Sequence, residues 1–323
     1  LHSTIDAFDT FLRVPGTVTA KGAHVRDAID LKRVMIMVVI ALVPAALFGM
    51  YNVGYQTALA TGASWGFWKM FFYGLLKVLP LYIVSYIVGL GIEFASSQIR
   101  GEEVNEGYLV TGFLIPLIVP VDVPLWMLAL AVAFAVIFGK EVFGGTGMNF
   151  LNPALAARAF LFSWPVIMTR WVAPLSYDSF FKVSMADAVT SATPLASMAN
   201  GAIPQGITLL QNFLGQVGGS MGEVSAFALL LGGIYLVVRK VISPRIPVAF
   251  LATVAVLTFL FPRGNERFTW MLWQLLSGGV LLGAGGLCRA YTKSAKDALD
   301  AAQTLALEGV EAEVVNIHTI NIT

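Results

Sequence analysis

Cysteine is almost absent from the chain. A single residue, Cys288, is present in 323, which excludes a disulfide framework and any zinc or iron–sulfur site built from this chain's own cysteines. Charge is scarce as well: only 12% of residues are charged, and the net charge of +1 leaves no basic field to attract nucleic acid. A basic n-region followed by an apolar core is missing from the mixed, polar first thirty residues, so no cleavable signal peptide is visible and the first apolar run is expected to act as the insertion signal. What fills the space left by charge is hydrophobic. The chain is 57% apolar with a mean hydropathy of +0.78, far above a water-soluble domain. Redox chemistry here requires an organic cofactor.

The apolar residues fall into runs of spanning length, about 20 residues being enough to cross a bilayer. Spans are expected at Val34–Met50, Phe71–Phe94, Pro124–Phe138, Pro153–Thr169, Glu223–Val238, Pro247–Phe261 and Trp270–Leu287. A shorter piece broken by Gly112, Pro116 and Pro120 reads as a half-helix or re-entrant segment. Residues 1–33 form a cytoplasmic N-terminal segment, 34–288 the transmembrane domain, and 170–221 a long loop. Lys and Arg stay cytoplasmic. Arg26, Lys32 and Arg33 flank the first span and Arg239, Lys240 and Arg245 follow a later one, which by parity puts the long loop outside. Trp65, Trp68, Trp171 and Trp270 fit an aromatic belt at span ends.

Glycine and proline interrupt these apolar segments, and irregular backbone at membrane depth is tolerated only where protein or a cavity satisfies it. Breaks at Gly144–Gly147 and at Gly278–Gly286 suggest an inverted repeat with a site at its interface. Close helix packing explains the second break equally well. Asn149 and Asn152 follow the first break at a helix start, offering amides to the edge of a planar heterocycle; helix capping alone accounts for one of them. Charges at membrane depth are functional candidates. Glu93 suits a cation contact or a headgroup-facing position; Arg158 suits pairing with a carboxylate such as Glu141; Lys77 can snorkel.

The loop sequence Asp187-Ala188-Val189-Thr190-Ser191-Ala192-Thr193-Pro194 resembles the D-x-x-[S/T]-G-A-T flavinylation signature, whose last threonine is joined to FMN by a phosphodiester. Asp187, Thr190, Ser191 and the acceptor Thr193 carry the match, with Ser191 standing at the usual glycine. From His24 to about Ala284 the chain resembles the NqrB/RnfD family of membrane proteins, typified by the NqrB component of the Na+-translocating NADH:quinone reductase and including the RnfD component of the related Rnf complex. The resemblance rests on His24-Val25-Arg26-Asp27, Asp30-Leu31-Lys32-Arg33, Glu103-Val104-Asn105-Glu106-Gly107, and the long stretch Lys140-Glu141-Val142-Phe143-Gly144-Gly145-Thr146-Gly147 through Asn152-Pro153-Ala154-Leu155. It implies an all-α polytopic fold with an inverted-repeat core and broken helices, covalent FMN at Thr193, riboflavin near Asn149 and Asn152, Arg158 placed to neutralise a reduced flavin, and ubiquinone near Gly89 and Glu93. Leu90 stands where the family tends to carry a second glycine. The resemblance further implies the bacterial inner membrane, the other subunits of the complex as partners, an FMN transferase for maturation, and Na+ export driven by electron transfer. An Rnf-type subunit that reduces no quinone, and a flavin-free solute channel on the same scaffold, are the rival readings; bound quinone separates the first and covalent flavin the second.

Residues 289–323 turn soluble in composition, with an amphipathic helix near Ala295–Ala302 and a strand at Ala312–Ile317. The piece Ala298–Ile320 resembles the C-terminal domain of transketolase-like enzymes, so the tail reads as a foreign fragment, or else as a divergent end, standing where further spans of the family are expected.

Overall fold

In the computed structural model, the described residues are 23–26, 31–100, 107–145, 149, 151–164, 168, 193–199, 201, 203–204, 206–262, 266–277 and 312–315. They form α1 (Leu31–Thr61), α2 (Phe67–Arg100), α3 (Tyr108–Ile118), α4 (Leu125–Gly139), a 3-10 turn (Glu141–Phe143), α5 (Pro153–Leu161), α6 (Pro194–Ala199), α7 (Leu209–Leu214), α8 (Ala226–Val238), α9 (Arg245–Leu260) and α10 (Arg267–Leu275). Two four-residue strands, β1 (Ala23–Arg26) and β2 (Ala312–Val315), pair in parallel. Among the described residues, three helices are long and apolar enough to cross a membrane, and three shorter ones are apolar. The protein is a multi-pass, helical membrane protein.

Both first helices outrun their hydropathy. The run expected to stop at Met50 continues to Thr61 because its polar residues are satisfied inside the fold: Asn52 Nδ2 donates to the Val217 carbonyl at 2.9 Å, and the Thr57 hydroxyl donates back to the Val53 carbonyl at 2.8 Å. The two helices are antiparallel, Gly54 meeting Met70 while Gly74 meets Met50 across the same interface. At 1.5 Å per residue, the 34 residues of α2 reach roughly 50 Å, beyond the ~30 Å hydrocarbon layer.

The broken segment resolves into α3, whose 11 residues cover only about 16 Å, half a crossing. Pro116 has no N–H to give the Gly112 carbonyl. The Ser85 hydroxyl donates to that carbonyl instead, at 3.1 Å, so the break is tied to α2. The Tyr108 hydroxyl donates to the Ser85 carbonyl and the Tyr86 hydroxyl to the Leu109 carbonyl, each at 2.8 Å. α4 returns beside α2, and Gly144 (φ 105°) and Gly145 (φ 98°) turn the chain after it in a left-handed conformation that side chains with a Cβ resist.

α5 runs back along α4, Phe160 stacking on Phe134 at 4.7 Å and Trp164 meeting Trp126 edge-on. It stops at Leu161, short of the expected Thr169. Ser163 and Trp164 bond to carbonyls three residues back, and Pro165 follows, which disfavours helix at the residue before it. α8 starts at Ala226, capped by the Ser225 hydroxyl, which accepts from the Ala228 amide at 3.2 Å; Glu223 stays outside the helix. Most buried side chains form one core shared by α1 to α5 and α8. Trp270, expected in an interfacial belt, is 3% exposed and packs with Trp273 and Met198 in a second, smaller cluster. Trp68 is exposed as expected; Trp171, the helix near Ala295–Ala302 and the second glycine break lie outside the described residues.

Candidate functional site

Two separate places combine polar chemistry with helix breaks. The first is where the C-terminal ends of α2 and α4 meet. Lys140, directly after α4, forms an ion pair with Glu93 of α2. The side chains are 4% and 2% exposed. The neighbouring Glu141 turns to the same helix, accepting from the Ser96 hydroxyl at 2.5 Å and pairing with Arg100 at 3.6 Å; Arg100 also donates to its carbonyl. Glu93, Ser96 and Arg100 are spaced three and four residues apart, which places them on one face of α2. The dipeptide Lys140-Glu141 is thus clasped by alternating charges. Glu93 faces this interior, not lipid headgroups. Its Oε2 has no hydrogen-bond partner among the described residues.

Gly89, one turn before Glu93, lies under the ring of Tyr108, so close that a Cβ there would run into the ring. The two residues of the expected quinone site therefore sit together, one packed by an aromatic ring and the other held by a lysine.

Asn152 caps α5: its side-chain oxygen accepts from the amides of Ala154 and Leu155 at 2.9 and 3.4 Å, with Pro153 in the first turn. Asn149 donates to the Leu151 carbonyl at 2.7 Å. Both amides thus shape the turn into α5.

The second place is a cleft of about 250 Å³ at the other end of α5. Arg158, Thr193, Asn212, Gly219, Ser220 and Glu223 are among its lining residues. Thr193 is half-buried and directly precedes α6, its carbonyl accepting from the Ser197 amide at 3.0 Å. Arg158 pairs with Glu223, not with Glu141, which Arg100 and Ser96 already engage. The other Glu223 oxygen accepts from the Ser220 hydroxyl. The turn carrying Ser220 and Glu223 is pinned to the end of α3, the Gly222 amide donating to the Leu117 carbonyl at 2.7 Å.

The structure thus unites Thr193 with Arg158, and Gly89 with Glu93, while Asn149 and Asn152 hold the loop between the two places. Asp187, Thr190 and Ser191 lie outside the described residues. Glu223, Ser220, Lys140 and Tyr108 escaped sequence reasoning. A charge within an apolar helix requires a partner, which signals that Arg158 and Glu93 have one but does not say which. Thr193 and Arg158 share the lining of this cleft, and Gly218 and Gly219 add no side chains to it, a lining that fits a phosphate-linked group.

The chain matches the model of the "NQR2, RnfD, RnfE family" over residues 18–297. It is 40% identical to the NqrB component of the Na(+)-translocating NADH-quinone reductase of Pseudomonas aeruginosa strain LESB58, across 86% of this chain and 75% of the relative. Proteins of the same name from Ectopseudomonas mendocina and Azotobacter vinelandii are each 39% identical, across 87% of this chain and 76% of theirs. The matched region contains both ion-paired sites, the α5 turn and Thr193, and with these similarities the chain belongs to the NQR2, RnfD, RnfE family.

Proposed function

We propose that this chain is the membrane subunit of a Na+-translocating NADH:quinone reductase, carrying electrons from FMN linked to Thr193, by way of riboflavin, to ubiquinone, with sodium export coupled to the transfer. The reading rests on one observation above the others: Thr193, the acceptor named by its flavinylation-like motif, lies in a cleft with Arg158. Flavin supplies reversible electron transfer when bound, and attachment through a phosphate leaves its ring free to cycle. The chain's own residues do the rest. An FMN transferase would catalyse the attachment: the Thr193 Oγ forms a bond to the flavin phosphate of a phosphoanhydride-linked flavin nucleotide, the anhydride P–O bond breaks, and the nucleotide monophosphate and the hydroxyl proton leave. The cleft is slightly below the ~300 Å³ of common ligand pockets, which suits a tethered group whose ring projects towards a neighbouring subunit.

Riboflavin belongs beside the α5 turn, whose shape Asn149 and Asn152 fix. Six residues separate Asn152 from Arg158 on this helix, an axial distance of about 9 Å, so the two flavin positions are close. Ubiquinone belongs near Gly89 and Glu93, where Tyr108 and Lys140 would shift to admit it. In the bacterial inner membrane, the Thr193 cleft would face outwards and the Lys140 clasp the cytoplasm, following the Lys and Arg distribution. Residues 289–323 we read as a foreign segment; the family match stops at residue 297.

The test is covalent flavin. Co-expression with an FMN transferase should give a fluorescent band for this chain in a denaturing gel, and Thr193→Ala should remove it. Fluorescence that survives the substitution moves the attachment elsewhere.

A further inference from the structure

The Arg158–Glu223 pair is an odd fitting for a cleft that receives an anion. A phosphodiester carries a negative charge, and Glu223 already places one in the same lining. The detailed contacts resolve the conflict. Glu223 is held on both oxygens, one by Arg158 Nη1 and the other by the Ser220 hydroxyl, and Ser220 belongs to a turn fixed to α3. Guanidinium offers five donors in a rigid planar fork. Glu223 engages one nitrogen of that fork and sets its plane, while Arg158 as a whole lines the cleft that Thr193 enters. The arginine side chain is 23% exposed, so its charge is only partly screened.

We propose that Arg158 is the phosphate-recognising residue of this cleft, with Glu223 and Ser220 as positioning residues that aim its guanidinium at an anion beside Thr193. The assignment rests on the flavin reading above but concerns the phosphate: the same cleft should prefer a flavin bearing a phosphate over one without. Charge accounting sets the sign of each variant. With Arg158 and Glu223 both present, the empty cleft is neutral and accepts one anion. Without Arg158, the bound phosphate faces Glu223 uncompensated. Without the charge of Glu223, Arg158 remains and the cleft is more welcoming.

The experiment uses the purified full chain carrying Thr193→Ala, which cannot be flavinylated, and titrates FMN in the presence of saturating riboflavin so that only phosphate-dependent binding is counted. Arg158→Gln should weaken FMN binding tenfold or more, as befits hydrogen bonds to a charged group. Glu223→Gln should raise the affinity, because the amide oxygen still accepts from Arg158 while the negative charge beside the phosphate is gone. The double variant should bind FMN better than Arg158→Gln alone. Arg158→Lys, which keeps the charge and loses the fork, should fall between, and rising salt should weaken FMN binding to the parent.

A purely structural ion pair predicts otherwise: equal losses from Arg158→Gln and Glu223→Gln and no recovery in the double variant. That pattern overturns the proposal, as does FMN binding that is absent above riboflavin or indifferent to Arg158. Where Arg158→Gln fails to fold, the Arg158→Lys and salt series decide in its place. The covalent reading stands or falls separately, on the gel band of the chain with Thr193 intact.

Discussion

Two of the ion pairs among the described residues look alike on paper and differ in what determines their role. Glu93 and Lys140 are sealed among α2 and α4, their side chains 2% and 4% exposed. Arg158 and Glu223 line an open cleft with 23% and 18% of theirs exposed. Removing two charges from water is costly, and a sealed pair returns that cost only while both partners are present. A pair at the edge of a cavity costs less to form and less to break, so its arginine can serve a ligand. The same chemistry locks two helices in one place and lines an open cleft in the other.

Breaking the sealed pair should have the largest effect. Lys140→Met leaves the Glu93 carboxylate buried without its counter-charge, and a loss of about 3–5 kcal/mol is expected, seen as a marked drop in the thermal midpoint of the detergent-purified chain. Adding Glu93→Met should recover most of it. If the single variant is as stable as the parent, water or another cation reaches Glu93 and the site is not sealed.

Gly89→Ala comes next. Its methyl group meets the Tyr108 ring, and overpacking of a tight interior costs about 1–3 kcal/mol. Tyr108→Leu should offset part of this loss despite giving up the bond to the Ser85 carbonyl. If Gly89→Ala leaves stability intact, the Tyr108 ring swings aside readily, and the packed and open states of the expected quinone site are close in free energy.

Arg158→Gln should lower the thermal midpoint least, with a stability cost of about 1 kcal/mol or less as for other solvent-reachable pairs, while weakening FMN binding strongly. A midpoint drop matching that of Lys140→Met would erase the distinction between the two pairs.

The membrane class was legible because it depends only on run length against bilayer thickness, a local property. So were the helix interruptions, since Pro116 and Gly144-Gly145 constrain the backbone wherever they occur. Helix ends were harder to read. Hydropathy stops at Met50, yet α1 continues to Thr61 because Asn52 finds the Val217 carbonyl 165 positions away. Trp270 was expected as a belt residue, and its burial against Met198 depended on packing that brings α6 beside α10.

Sequence by itself determined that this chain lives in a membrane, which of its helices must break, and that charges such as Glu93 and Arg158 require partners. Each of these follows from neighbouring residues and the solvent around them. Tertiary structure alone decided who the partners are. Arg158 took Glu223, 65 positions along the chain, while Glu141 went to Arg100 and Ser96. An ion pair is chosen by which side chains the packed helices bring within reach, and no spacing or periodicity encodes that distance.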